Sequence, residues 1–154
     1  MTIAARDASN LISGGDIIDI RERVYNYDNA IWLANHGTLP QLAAAHIAGT
    51  NGDQFLFKLQ GQEDMPNMLL GRPLFFTEYC PALGTSGDLI CTTWSEYLDG
   101  TYTPIEGAES MHVRFVNHES AFKFWMRNDA RPWWTSVLTP KNGSTMSPFV
   151  GLPA

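Results

Sequence analysis

Apolar residues recur along this chain first at helical and then at strand spacing. Ser13-Gly14-Gly15-Asp16 reads as a helix entry, with Asp16 and Asp19 at the positive end of the helix dipole. Ile17, Ile20 and Val24 follow at helical spacing and predict one buried stripe. Ala30 to Ala34 is short, apolar and bounded by turn residues, which predicts a buried strand. A second helix is expected from Thr38-Leu39-Pro40-Gln41, where Thr38 and Gln41 have capping-box spacing and Pro40 sits in the first turn. Leu42 to Ala45 extend it until Gly49 stops it, and His46 falls on it. Strand, turn and helix make one α/β unit. Gln54 to Leu59 predicts another strand, and the polar stretch Gln60 to Asn67 predicts an exposed loop.

From Leu69 the period becomes that of strands. Leu74 and Phe76, then Leu89 and Cys91, fall on alternating positions across a loop rich in Pro, Gly and Ser. Asp99-Gly100 is a tight-turn signal. In the longest strand Phe122, Phe124 and Met126 line one face while Lys123, Trp125 and Arg127 line the other. A one-residue slip would exchange core and surface, so its register is expected to be firm. The tail from Lys141, with Asn142-Gly143, Pro148 and Pro153, shows almost no periodicity and is expected to reach a neighbour or to be loosely held.

The 154 residues suffice for one compact unit with a real core. Ten Lys and Arg against sixteen Asp and Glu give a net charge of −6, which leaves no electrostatic footprint for a nucleic-acid backbone. No window reaches membrane-spanning length and Met1 to Asn10 has no signal-peptide core, so a soluble protein made in the cytoplasm is expected. Cys80 and Cys91 lack any zinc spacing and read as two buried thiols.

Candidate chemistry is sparse. His112 and His118, near Arg114 and Glu119, invite an acid-base reading, but residues this close at a strand end are more often surface-paired, and no nucleophile with an orienting partner stands beside them. His36 at the strand-to-helix corner is expected to satisfy turn hydrogen bonds. Trp125, Trp133, Trp134, Tyr97 and Tyr102 fit a stacking platform or, better, a core and subunit seam, since Trp125 shares its face with Lys123 and Arg127. Gly14-Gly15 and Gly84 to Gly87 lack phosphate-loop spacing. No catalytic, cofactor-binding or metal-ligating residue is assigned.

The order Gly71-Arg72-Pro73, Pro81, Gly87-Asp88, Arg127-Asn128-Asp129 and Trp133 to Leu138 resembles the C-terminal part of a tailed-bacteriophage major capsid protein. In that family a Gly-x-Pro turn enters a strand, a Pro-containing loop leads to a Gly-Asp strand, and a long strand ends in an Arg-x-Asp turn before a final strand. The resemblance implies an α+β chain of the Johnson fold: an axial domain with a central mixed sheet and flanking helices, plus the C-terminal strands of the peripheral domain. Residues 1–154 then form a single unit from which the N-terminal arm, extended loop and spine helix are absent. It further implies a shell subunit, not an enzyme, located in the virion and in the host cytoplasm during assembly. Its partners would be other copies, in pentamer or hexamer capsomers enclosing DNA without sequence-specific contact, and no membrane. The expected axis loop is Gln60 to Asn67, so Gln62, Glu63 and Asp64, together with Trp125 and Arg127, are the candidate subunit-contact residues. None of the cross-linking chemistry of some relatives is carried over to Lys141 or Asn142.

Three other readings stand beside this one. An encapsulin-type compartment shell shares the fold. An aromatic-rich ligand-binding domain requires Trp133 and Trp134 exposed beside a concave pocket. A small hydrolase would use His112 and Glu119.

Overall fold

The computed structural model describes residues 2–47, 54–58 and 67–154, which form two compact units, residues 1–96 with 134–154 and residues 97–133. The first is an α+β body. Its strands are β1 (Thr2–Ile3), β2 (Ala30–Ala34), β3 (His46–Ile47), β4 (Gln54–Phe55), β5 (Phe57–Lys58), β6 (Asn67–Leu69), β7 (Arg72–Phe76) and β8 (Leu89–Thr93). The second unit holds β9 (Tyr97–Ser110) and β10 (Ala121–Pro132), after which β11 (Phe149–Gly151) returns to the body. Helices α1 (Gly14–Arg23) and α2 (Leu39–Ala44) belong to the body.

Helix α1 forms where the local chemistry predicts it. Ser13 Oγ accepts from the Asp16 backbone N–H at 3.1 Å and the Asp16 carboxylate accepts from the Ser13 N–H at 2.8 Å, a complete capping box. The fully buried Asp16 also accepts from the Asp7 N–H at 2.8 Å, which pins the incoming chain. Ile17, Ile20 and Val24 are buried as one stripe. The second helix departs from expectation. Asn35 caps a 3-10 turn over His36–Thr38 by accepting from the Gly37 N–H, while Thr38 makes no side-chain cap and donates its hydroxyl to the Asn35 carbonyl. Gln41, freed from capping, bridges the Ile12 N–H and the Asn10 carbonyl. Helix α2 ends at Ala44, before Gly49, and His46 stands on β3.

A mixed seven-stranded sheet runs in the order β1-β11-β8-β2-β7-β6-β5, and β3 pairs with β4. Strand β2 lies parallel to β7 and antiparallel to β8, with Trp32 between Leu74 and Cys91. These three side chains are buried with Leu42, Leu69, Leu89, Val150 and Leu152 in one core. Leu70 and Gly71 both have positive φ (48° and 77°), the type I′ geometry that joins β6 to β7 and starts the Gly-x-Pro strand. The stretch expected to be one strand at Gln54 to Leu59 is two, since Gln54–Phe55 pairs with β3 and Phe57–Lys58 with β6. The tail is the largest correction. Phe149–Gly151 lies inside the sheet, parallel to β1 and antiparallel to β8, with Val150 and Leu152 fully buried.

A buried ion pair clasps the body. Arg6 Nη2 donates to both Asp88 carboxylate oxygens at 2.6 and 2.7 Å, and the two side chains are 3% and 0% exposed. The remaining guanidinium N–H groups reach the carbonyls of Pro153 (2.9 Å) and Leu11 (3.2 Å), and Asp88 also accepts from the Gly84 N–H at 2.8 Å.

Cys80 and Cys91 are free and buried. Burial pushes the Cys91 thiol up from 9.0 to about 12, and burial followed by the charge of Asp88 raises Cys80. A raised folded-state value means that the folded protein holds its proton more tightly than the unfolded chain. The Cys91 contribution to stability is therefore complete below about 9 and is lost as pH rises toward about 12. Denaturant unfolding across that window should show a steeper loss of stability for the wild type than for Cys91→Ala, and equal slopes would refute it.

Candidate assembly surface

The second unit is a long two-stranded ribbon in which β10 pairs antiparallel with β9 from Ala121↔Ser110 to Pro132↔Tyr97. Asp99-Gly100 is not a turn, because both residues lie within β9, opposite Ala130 and Asp129. Arg127-Asn128-Asp129 likewise lies inside β10, and Trp133 to Leu138 holds no strand, only a bridge from Leu138 to Met146. Two register shifts flank Arg127. From Trp125↔Glu106 to Arg127↔Thr103 and from Arg127↔Thr103 to Asn128↔Thr101, each adds one residue on the β9 side. Strand β10 thus keeps its period of two along its whole length.

That period sorts the side chains. Phe122 and Phe124 share a face with their partners Glu109 and Gly107, and Asp99, opposite Ala130, lies on the same face. The Phe124 ring lies over Gly107, where an added Cβ would meet it at 3.1 Å. The other face carries Lys123, Trp125, Arg127 and Arg131 with Glu106 and Asp129. The Arg127 guanidinium sits over the Trp125 ring at 5.6 Å, a cation–π contact that pairs two of the expected contact residues.

The alternation is as predicted, but neither face is core. Phe122, Phe124 and Met126 are 65%, 74% and 53% exposed, and Trp125 is 37% exposed. A two-stranded ribbon has no second layer of its own, so both of its faces meet solvent. Ile105 and Tyr102, beside the register shifts, are exposed as well. Sequence reading missed β9 as the partner strand, since its two Gly, Pro104 and two Glu argue against a strand and only the Phe124–Gly107 pairing compensates.

The ribbon ends in a tip where Met111, Val113, Phe115 and Val116 are exposed. Arg114 pairs with Glu119 at 3.1 Å, both side chains more than half exposed, which is the surface pairing expected of this cluster. A cavity of about 190 Å³ beside Met111, Phe115 and His118 is bounded by Glu119, whose carboxylate is thus already engaged. In the body His36 stacks on Phe76 at 5.6 Å. Trp134 packs on Tyr25 at 4.9 Å and donates its indole N–H to Glu96 at 2.9 Å, so its ring is used in packing. Trp133 is 65% exposed. Among its described lining residues, an apolar groove of about 380 Å³ between Leu11, Gly14, Pro40 and Ala44 has His46 as its titratable group. Among the described residues no cluster of His, Cys, Asp or Glu forms a metal site, and no helix is long and apolar enough to cross a membrane. The expected contact residues Gln62, Glu63 and Asp64, with most of the loop from Gln60 to Asn67, lie outside the described residues.

Residues 3–135 match the model of the phage capsid family. No curated protein matches the chain. A solved structure described as "Capsid of empty GTA particle computed with C5 symmetry" is similar with a TM-score of 0.57 at 13% identity, over 90% of this chain and 44% of that one. At that identity the likeness shows a shared α+β fold, and this chain spans under half the length of its structural relative.

Proposed function

Since the chain belongs to the phage capsid family, we propose that it is a structural, non-enzymatic portion of a capsid subunit that assembles with other copies into a shell enclosing DNA. The body with its mixed seven-stranded sheet corresponds to the axial domain, and the ribbon of β9 and β10 to the C-terminal strands of the peripheral domain. Residues 1–154 together represent the C-terminal part of the subunit, and the N-terminal arm, extended loop and spine helix are not among them. Other capsid subunits in pentamer or hexamer capsomers are its partners, the virion its location, and the host cytoplasm the place of assembly. Gln62, Glu63 and Asp64 in the axis loop, with Trp125 and Arg127 on the ribbon, make the subunit contacts.

The observation that supports this reading best is the ribbon itself. Strands of 14 and 12 residues expose Phe122, Phe124 and Met126 on one face. A contiguous apolar strip of this kind on a soluble chain marks a surface that another protein covers. A net charge of −6 suits a wall that encloses DNA without adhering to it.

The test is the particle mass of the purified chain by light scattering coupled to size exclusion, across a wide range of protein and salt concentrations. Pentamers, hexamers or larger closed assemblies are expected. A strict monomer at every concentration would refute subunit contacts within this part of the fold.

A further inference from the structure

The loop that leads back to β11 is pinned at its ends and open in the middle. Leu138 and Met146 exchange both backbone hydrogen bonds at 2.9 Å. Ser147 donates its N–H to the Arg23 carbonyl at 2.9 Å, and its carbonyl accepts from the Tyr25 N–H at 3.0 Å. Inside these ties Ser144 Oγ donates to Glu22 Oε1 at 2.9 Å, which holds the loop to the last turn of α1. Asn142 and Gly143 stand at the crest, and both are exposed. Among the described residues, neither the Asn142 side chain nor the Gly143 N–H has a hydrogen-bond partner. Gly143 has a φ of +103°, a conformation that favours glycine, and a Cβ added there would meet nothing within 4 Å.

We propose that Asn142 is a site of spontaneous deamidation, with water as the co-reactant. The Gly143 nitrogen gives up its proton to solvent and bonds to Asn142 Cγ. The Cγ–Nδ2 bond breaks, and Nδ2 takes up a proton and leaves as ammonia. Water then opens the five-membered succinimide so formed. Addition at Cγ breaks the new Cγ–N bond and gives aspartate. Addition at the Asn142 main-chain carbonyl carbon breaks the original peptide bond instead, so the chain runs on through Cβ and Cγ and the α-carboxylate is left free. No oxidant, reductant or enzyme enters. Either product replaces a neutral amide by a carboxylate and adds one negative charge to the −6 of the chain.

Ring closure needs the Gly143 nitrogen to swing toward Cγ. A side chain on that residue would obstruct the rotation, and a hydrogen-bonded ladder would forbid it. Neither obstacle exists at the crest. Asp99-Gly100 meets the second, since both residues are paired within β9. Asn35 is followed by His36, and its side-chain oxygen and nitrogen are both engaged, by the Gly37 N–H and the Cys80 carbonyl. The new carboxylate at position 142 lies two residues from Ser144, whose hydroxyl holds the Glu22 carboxylate. Like charge there, and the extra main-chain carbon of the isoaspartyl form, break the Ser144–Glu22 contact. The bonds of Leu138, Met146 and Ser147 lie outside the crest and keep β11 in place.

This inference does not depend on the shell reading, and a monomer tests it as well as a particle does. The full chain, held at neutral pH and physiological temperature, is followed by intact mass, anion exchange and peptide mapping. The expected result is a gain of one nominal mass unit, later elution from the anion exchanger, and a change that maps to the peptide containing Asn142. A protein isoaspartyl methyltransferase should methylate that peptide, while Asn35 keeps its amide over the same interval. Asn142→Gln, whose side chain cannot close a five-membered ring, should stop the change at this position. Its side chain replaces one that is exposed and unbonded, so the variant should keep the wild-type unfolding curve. Asn51-Gly52, the other Asn-Gly pair of the sequence, yields a separate peptide, and a change confined to it would overturn the proposal. So would an Asn142 amide as durable as that of Asn35, or a product at Asn142 that contains aspartate and no isoaspartate.

Discussion

Asp88→Asn is expected to lower the free energy of unfolding by about 3–5 kcal/mol, the usual consequence of removing one partner from a buried ion pair. Both oxygens of Asp88 accept from Arg6 within 2.7 Å, and Asp88 itself is inaccessible to solvent. The neutral amide would leave the guanidinium charge desolvated and uncompensated, and one of its own N–H groups would face Arg6. Arg6→Met should cost a similar amount by the reverse route, leaving a buried carboxylate with the Gly84 N–H as its donor among the described residues. The double variant Arg6→Met, Asp88→Leu removes both charges and should recover a large part of the loss, since an apolar pair of similar volume replaces a desolvated ionic one. Urea unfolding of the wild type, Arg6→Met, Asp88→Leu and the double variant closes the cycle and gives the coupling energy directly. A loss below 1 kcal/mol in Asp88→Asn would mean that the clasp is hydrated in solution.

Trp32→Ala should cost about 3–5 kcal/mol, at the upper end for core truncation. Trp32 is fully buried at the centre of the sheet, between Leu74 on one neighbouring strand and Cys91 on the other. Its indole N–H donates to the Tyr27 hydroxyl at 3.4 Å, and that hydroxyl donates to the Leu70 carbonyl at 3.0 Å. The substitution therefore opens a cavity and also loosens the Tyr27 ring, which packs edge-on against the indole and under the Arg21 and Arg72 guanidinium groups. Against a total stability of about 5–15 kcal/mol this leaves a marginal fold. Trp32→Phe keeps most of the volume and should lose much less. An equal loss in the two variants would place the effect in the hydrogen bond instead of the cavity.

What the sequence revealed of this fold depended on how far apart the interacting residues lie. Ser13 and Asp16 are three apart and satisfy each other, so helix α1 could be read at its true start. The short apolar run around Trp32 and the alternation at Leu74 and Leu89 announced the central strands, whose residues Trp32, Leu74 and Leu89 are all buried. The Thr38 box failed through competition. The Thr38 hydroxyl is engaged by the Asn35 carbonyl, and Gln41 found partners about thirty residues away. Arg6 and Asp88 are 82 residues apart, and no local pattern joins them. Strand β11 has three residues, too few to display a period. On the ribbon the period placed Trp125 and Arg127 on one face, which the cation–π contact bears out. Periodicity could not tell whether anything covers that face, because it records the difference between two sides and not what lies beyond either.

The position of β11 makes the central sheet depend on pairing between distant segments. The sheet order sets β1 beside β11, and Arg6 binds the carbonyl of Pro153, so the sheet joins segments about 147 residues apart. During synthesis β8 is therefore exposed along one edge, with the Leu89 and Cys91 side of the core open, until residue 152 has left the ribosome. Contacts of such long sequence separation form slowly. Closure of this sheet waits for residues 149–151, however early the other strands have paired. A chain cut short by even six residues would keep its ribbon and lose that closure, presenting an unpaired strand edge to every other copy in the cell.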